Sequence, residues 1–259
     1  MTDYDFREAA IDFYSRSDFK SIVFPISEQF GPTIQGEGPH AGKSVQFLRT
    51  GGCNLSCSWC DTPETWDASR FDLKMWNPPK TVESIIDSII PGIPVVLTGG
   101  EPLMHQKSKG WETLLAGIRS LGCDIHIETN GTIAPNSVTQ VWANYASVSP
   151  KLAHAGRHKR TQDPTPDKGW RDLIEGGDTE LAQTSTLKFV VENEAHIEEA
   201  LVYADSLGWP RKLVWVMPEG INLEELQEKW PTIAKEAARL HINASHRIHV
   251  LAWGHTRGT

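Results

Sequence analysis

Residues 81–121 change their hydrophobic period twice, and no other stretch restricts the possible folds as tightly. Thr81 can cap a helix that carries Glu83 in its first turn and Ile85, Ile86, Ile89 and Ile90 on one apolar face. Residues 93–98 are then almost continuously apolar and stop at Gly99-Gly100, as expected of a parallel strand buried on both faces. Helical spacing returns over 111–121. A strand set between two such helices calls for βα units, a parallel sheet and right-handed crossovers.

The alternation continues along the chain. Strands are expected at 22–30, 44–48, 124–128, 146–149, 186–191, 213–217 and 247–253, and helices at 138–145, 194–207 and 223–240. Gln35-Gly36-Glu37-Gly38-Pro39 reads as a turn between the first two strands. The fold class is therefore α/β with mostly parallel strands. A chain of 259 residues, 39% hydrophobic, can bury one large core. We place that domain over 21–259, after a helical extension at 1–20 marked by Phe6, Ile11 and Phe13. Over 152–185 the period lapses among His154, Arg157, His158, Lys159, Arg160 and prolines, which predicts a long loop, either solvated or a lid.

Charge and termini exclude some partners. A net charge of −8 gives no basic field for nucleic acid. The opening MTDYDFREAA lacks the regions of a signal peptide, and no apolar run reaches the ~18 residues of a membrane span. The expected location is the cytoplasm, with no membrane partner. Three of the four cysteines crowd into Cys53-Asn-Leu-Ser-Cys57-Ser-Trp-Cys60, which suggests a metal site in a reducing compartment and not a disulfide framework. Three local thiols leave one metal position open. Spacing alone allows an iron-sulfur cluster, a zinc completed by His40 or His105, or inert buried thiols. Cys123, inside an apolar stretch, reads as a core thiol.

Four polar clusters fall just after predicted strands: the cysteine loop, Gly99-Gly100-Glu101-Pro102, Glu128-Thr129-Asn130-Gly131 and Ser149-Pro150-Lys151. In parallel sheets the strand C-termini share one edge, so these clusters should open on one mouth.

Cys-x3-Cys-x2-Cys after a strand, with Gly-Gly-Glu-Pro after a later one, resembles the radical S-adenosylmethionine superfamily from about residue 22 onward. Gln35-Gly36-Glu37-Gly38, Arg49, Cys60-Asp61-Thr62, Leu97-Thr98 before the Gly-Gly-Glu-Pro run, Glu128-Thr129-Asn130-Gly131 and Ser149-Pro150-Lys151 are similar to the 7-carboxy-7-deazaguanine synthase family within it. The resemblance implies a partial, open β/α barrel. It implies a [4Fe-4S] cluster on Cys53, Cys57 and Cys60 whose fourth iron chelates S-adenosylmethionine, with Trp59, Cys60, Asp61, Gly100, Glu101, Glu128, Ser149 and Lys151 around that cofactor. By the same resemblance Ile34, Gln35, Gly36, Glu37, Arg49 and Thr98 meet a pterin carboxylate substrate, and Thr62 holds Mg²⁺. One-electron reduction of the sulfonium would release methionine and a 5′-deoxyadenosyl radical, which converts 6-carboxy-5,6,7,8-tetrahydropterin to 7-carboxy-7-deazaguanine with loss of ammonia. A flavodoxin or ferredoxin as donor and a homodimer are further implications. Two rivals stand beside this reading: an activating enzyme that places a glycyl radical on a partner protein, and a non-catalytic zinc-binding protein.

Overall fold

The computed structural model describes residues 20–159, 164–254 and 256–259; except for Lys20, the helical extension expected at 1–20 lies outside the described residues. The strands are β1 (Val23–Ile34), β2 (Ser44–Thr50), β3 (Pro79–Thr81), β4 (Val95–Gly99), β5 (Ile125–Thr129), β6 (Tyr145–Val148), β7 (Thr186–Val191), β8 (Val214–Pro218) and β9 (Asn243–Ala244). Among the described residues they form one open sheet in the order β3-β1-β2-β4-β5-β6-β7-β8-β9. β1 runs antiparallel to β2 and β3, and every pairing from β2 to β9 is parallel.

Side chains alternate across the strands, so each face carries its own chemistry. Leu48, Leu97, Ile125, Ile127, Val148, Leu187, Phe189 and Val216 join one core under the outer helices. The four-residue α1 (Leu73–Trp76) buries none of its side chains, and the covering helices begin with α2 (Val82–Asp87), α3 (Trp111–Ser120) and α4 (Ser137–Trp142). Further along come α5 (Lys168–Gly176), α6 (Glu180–Thr184), α7 (Glu194–Ser206) and α8 (Leu223–Arg239). Trp111 is 1% exposed and its indole donates to Thr139 at 2.9 Å, which ties α3 to α4. The opposite face presents Arg49, Thr98, Glu128 and Lys188 to the inside of the curve.

The structure corrects several readings. The stretch 152–185 is not one loop: α5 is capped by Asp167 and α6 by Thr179, and Trp170 is 1% exposed with its indole donating to Ile133 O at 3.1 Å. Helices of nine and five residues offer only one or two turns of apolar spacing, too few to register against the surrounding prolines. The expected last strand at 247–253 is a helix, α9 (Ile248–Trp253). Its Ile248, Val250 and Ala252 mimic alternation, whereas only Val250 is buried. The true last strand is the two-residue β9. α2 stops at Asp87, before Pro91-Gly92, so Ile89 packs from the following turn and Ile90 is 37% exposed. β1 runs on past residue 30 to Ile34 through a register shift between Phe30 and Thr33. The short β3 and α1 had no signal, being three and four residues long.

Candidate active site

The C-terminal ends of β2, β4, β5 and β6 converge as the strand-end rule requires. They wall a cavity of about 510 Å³, within the range of small-molecule sites. Cys53, Cys57 and Cys60 all face it, and all four cysteines are free thiols. Cys53 sits in a cradle of donors, with Leu55 N at 3.4 Å and Asn130 Nδ2 at 4.0 Å from its sulfur. The Trp66 indole donates to Cys60 Sγ at 3.3 Å. Burial pushes the Cys53 thiol up to about 12, and burial also raises Cys57, with Lys151 opposing. Thiols so placed ionise when a bound cation supplies the missing positive charge.

The cysteine loop is braced from outside by the segment that was expected to be loose. Ser58 N donates to Ala155 O at 3.0 Å, Ser56 N to His158 Nδ1 at 3.1 Å, and Lys159 N to Ser56 Oγ at 2.8 Å. Residues 153–159 are therefore a buttress and not a lid. Neither candidate zinc histidine faces the cavity. His40 Nδ1 lies 3.1 Å from His126 Nδ1, and His105 Nε2 lies 2.9 Å from Gly51 O. Cys123 is fully buried in the core, as its neighbours suggested.

The glycines after β4 are required by packing. A Cβ on Gly99 would stand 2.2 Å from Thr50 O, and one on Gly100 would stand 2.1 Å from Gly52 O. Their bare faces let β4 close on the start of the cysteine loop, where Glu101 N donates to Gly52 O at 2.8 Å. Glu101 is 0% exposed and does not face the cavity. Its carboxylate accepts from Leu103 N at 3.0 Å, Thr129 Oγ1 at 2.8 Å and Asn130 N at 2.7 Å. Burial pushes this carboxyl up to about 7 against those three bonds. In this structure the acid therefore clamps the ends of β4 and β5 together, with its oxygens already occupied.

The other expected ligands all line the cavity. Gln35 Nε2 donates to Glu128 Oε1 at 3.1 Å, and Lys151 Nζ donates to Ser149 Oγ at 3.0 Å while sitting 5.4 Å over the Trp59 ring. Arg49 Nε is buried without a hydrogen bond, although Glu28 forms an ion pair with it at 3.5 Å. Glu37, expected to read the substrate ring, spends its oxygens on protein cations: Lys188 bonds one oxygen and Arg247 Nε the other at 2.9 Å. Burial opposes its ionisation, yet Lys188 and then Arg247 hold the Glu37 carboxyl well below the usual carboxylate range. Asp61 is the second anchor of Arg247, at 2.8 Å from Nη2.

Sequence reasoning missed Lys188, Arg247, His249 and Arg257, all of which line the cavity. Lys188 stands mid-strand opposite Leu187 and Phe189, and an inward lysine in a strand buried throughout is the signal that could have exposed it. His249 fills the space beside Gly36, where a Cβ would lie 1.7 Å from its Nδ1. Arg257 pairs with Glu64 at 3.1 Å and Glu28 at 3.5 Å and sits 5.1 Å over Trp76, so residues 256–259 strap across the mouth.

The model of the radical SAM superfamily matches residues 47–229. The 7-carboxy-7-deazaguanine synthase of Hyperthermus butylicus is 35% identical over 237 residues, covering 89% of this chain and 93% of that protein. The chain belongs to the 7-carboxy-7-deazaguanine synthase family. Another relative in this family, from Pyrobaculum aerophilum, is 32% identical over 229 residues, covering 87% and 93% of the two chains. The solved structure of QueE from Escherichia coli shares the fold, with a TM-score of 0.60 over 90% of this chain and 98% of that one at 23% identity. Members of the radical SAM superfamily carry a [4Fe-4S] cluster and S-adenosylmethionine, and the three inward thiols beside a cavity wall with no fourth cysteine suit that pair of groups.

Proposed function

We propose that this cavity converts 6-carboxy-5,6,7,8-tetrahydropterin to 7-carboxy-7-deazaguanine with loss of ammonia. Cys53, Cys57 and Cys60 would hold the cluster, and the walls at Gly100, Glu128, Ser149 and Lys151 would hold S-adenosylmethionine. When bound, the two supply a 5′-deoxyadenosyl radical by one-electron reduction, with a flavodoxin or ferredoxin as donor. The chain's own residues position the substrate and exclude water.

The observation that carries the substrate assignment is Arg49: a half-buried guanidinium whose buried Nε has no hydrogen bond, on the strand that leads into the cysteine loop. Such a fork fits a carboxylate in two-point contact. Gln35 and Glu128, joined at 3.1 Å, offer a donor and an acceptor edge suited to an aminopyrimidinone ring. Thr62, in the same wall, would give Mg²⁺ one oxygen, the remainder coming from substrate and water. Glu101 is proposed as a clamp and not a cofactor ligand. The strap of residues 256–259 disfavours an activating enzyme, because a partner protein's loop would have to displace it. We place the enzyme in the cytoplasm, consistent with four free thiols; among the described residues no helix is long and apolar enough to cross a membrane.

Incubating the reduced, reconstituted protein anaerobically with S-adenosylmethionine and carboxytetrahydropterin should yield a 7-deazaguanine acid. Formation of 5′-deoxyadenosine and methionine without any pterin-dependent product would overturn the substrate assignment. Thr62→Ala should keep its iron yet lose most of the rate increase given by added Mg²⁺.

A further inference from the structure

We propose that His154, Glu192 and His196 form a second metal site, built for a zinc-like divalent cation, on the outer side of the cavity wall. His154 lies in the turn after β6, Glu192 directly follows β7, and His196 is in the first turn of α7. One donor atom from each falls within 4.8 Å of the other two. The sheet itself brings these donors together, since β6 and β7 are neighbours.

The local bonding leaves His154 unpartnered. Both ring nitrogens of His154 are buried and neither has a hydrogen-bond partner. Buried polar atoms are normally satisfied, so an imidazole with two orphaned nitrogens asks for a ligand. The His196 ring stacks on it, with centroids 4.0 Å apart and planes 10° apart. His196 Nδ1 accepts from Glu192 N at a long 3.2 Å and lies 3.8 Å from the Glu192 carboxylate, so a cation bound at this nitrogen takes the place of that one long bond. Burial, and then the neighbouring His196, hold His154 below the ordinary imidazole range.

Two imidazoles and one carboxylate are the donor set of three-ligand zinc sites, in which a fourth position is left to water. The same set disfavours Mg²⁺ and Ca²⁺, which prefer all-oxygen shells. Tetrahedral zinc spaces its ligand atoms about 3.4 Å apart, so a pair at the 4.8 Å limit must close by about 1.4 Å, and the stacked His196 ring must turn out of parallel for both imidazole lone pairs to meet one ion. Glu199 and Glu219 add negative potential toward His154. The other face of His154 stacks on Trp59, with centroids 5.6 Å apart, one residue from Cys60. A cation held here would pin the cysteine loop from behind, without touching its thiols.

The test uses the enzyme with its cluster in place, so that zinc cannot occupy the thiols. After equilibration with zinc alone and desalting, the wild type should retain one zinc per chain above its iron. His154→Gln should retain at least about tenfold less at the same zinc concentration with iron unchanged, and Glu192→Gln should weaken retention about tenfold. Glu192 is exposed and takes no part in the core, so its variant tests the site even if the histidine change disturbs folding. No zinc beyond iron in the wild type, or equal retention by Glu192→Gln and the wild type, would overturn the proposal.

Discussion

Gly100→Ala should strip iron from the reconstituted protein although it removes no ligand. The new methyl would stand 2.1 Å from Gly52 O and 2.8 Å from Cys53 Cβ, and a backbone carbonyl cannot swing aside as a side-chain tip can. The cysteine loop would have to retreat from β4. Because Glu101 N holds Gly52 O and the Glu101 carboxylate holds Asn130, that retreat would pull on three strand ends together. Overpacking of this kind costs about 3 kcal/mol. We expect iron to fall from about four per chain to below two, and the thermal midpoint to drop by about 10 °C. Gly176→Ala is the matched control: nothing lies within 4 Å of its Cβ, so iron and midpoint should stay near wild type. A Gly100→Ala protein with full iron would mean that β4 does not press on the loop.

The second large effect is expected at Lys188, 7% exposed and bonded to Glu37. Lys188→Met leaves a buried carboxylate with Arg247 as its remaining cation. Removing one partner of a buried pair is costly because the other charge stays desolvated; with Arg247 in place we expect a loss of about 3 kcal/mol. Removing both charges in Lys188→Met/Glu37→Gln should recover more than half of that. Denaturant midpoints of the four proteins close the cycle, and a single variant as stable as wild type would refute the argument. The pH dependence follows from the same pair. Glu37 has a depressed folded value, so its stabilisation is complete above its ordinary value near 4.5 and is lost as pH falls toward the folded one. The wild type should therefore lose stability relative to the double variant below that pH.

The strand ends could be read from sequence because an apolar run stopped by polar residues marks both a buried strand and its edge. That placed the cysteines, Gly100, Glu128 and Lys151 on one mouth, where the structure has them, whereas Arg49 and Thr98 came only from the family resemblance. Side-chain direction was not legible. Glu101 follows two glycines at a strand end, as a ligand would, yet it turns inward because Leu103 N, Thr129 and Asn130 offer it three donors at once. The cations of the site were hidden for different reasons. Lys188 interrupts a strand whose neighbours gave it a bland setting, while Arg247 precedes and His249 lies in a six-residue helix whose Ile248, Val250 and Ala252 alternate like the residues of a strand. Contacts between residues as far apart as Glu37 and Arg247 have no local signature at all.

The sheet ends in β9, two residues long, and what closes the site beyond it is helical. Arg247 and His249 come from sequence that follows the last strand, and Ile248 N is tied to Gly36 O at 3.0 Å. A chain growing from its N-terminus thus possesses the whole sheet and all three cluster thiols before it possesses that wall. The cavity is therefore enclosed on this side only by residues that come after the whole sheet in sequence, and that closure depends on their packing against Gly36 at its other end.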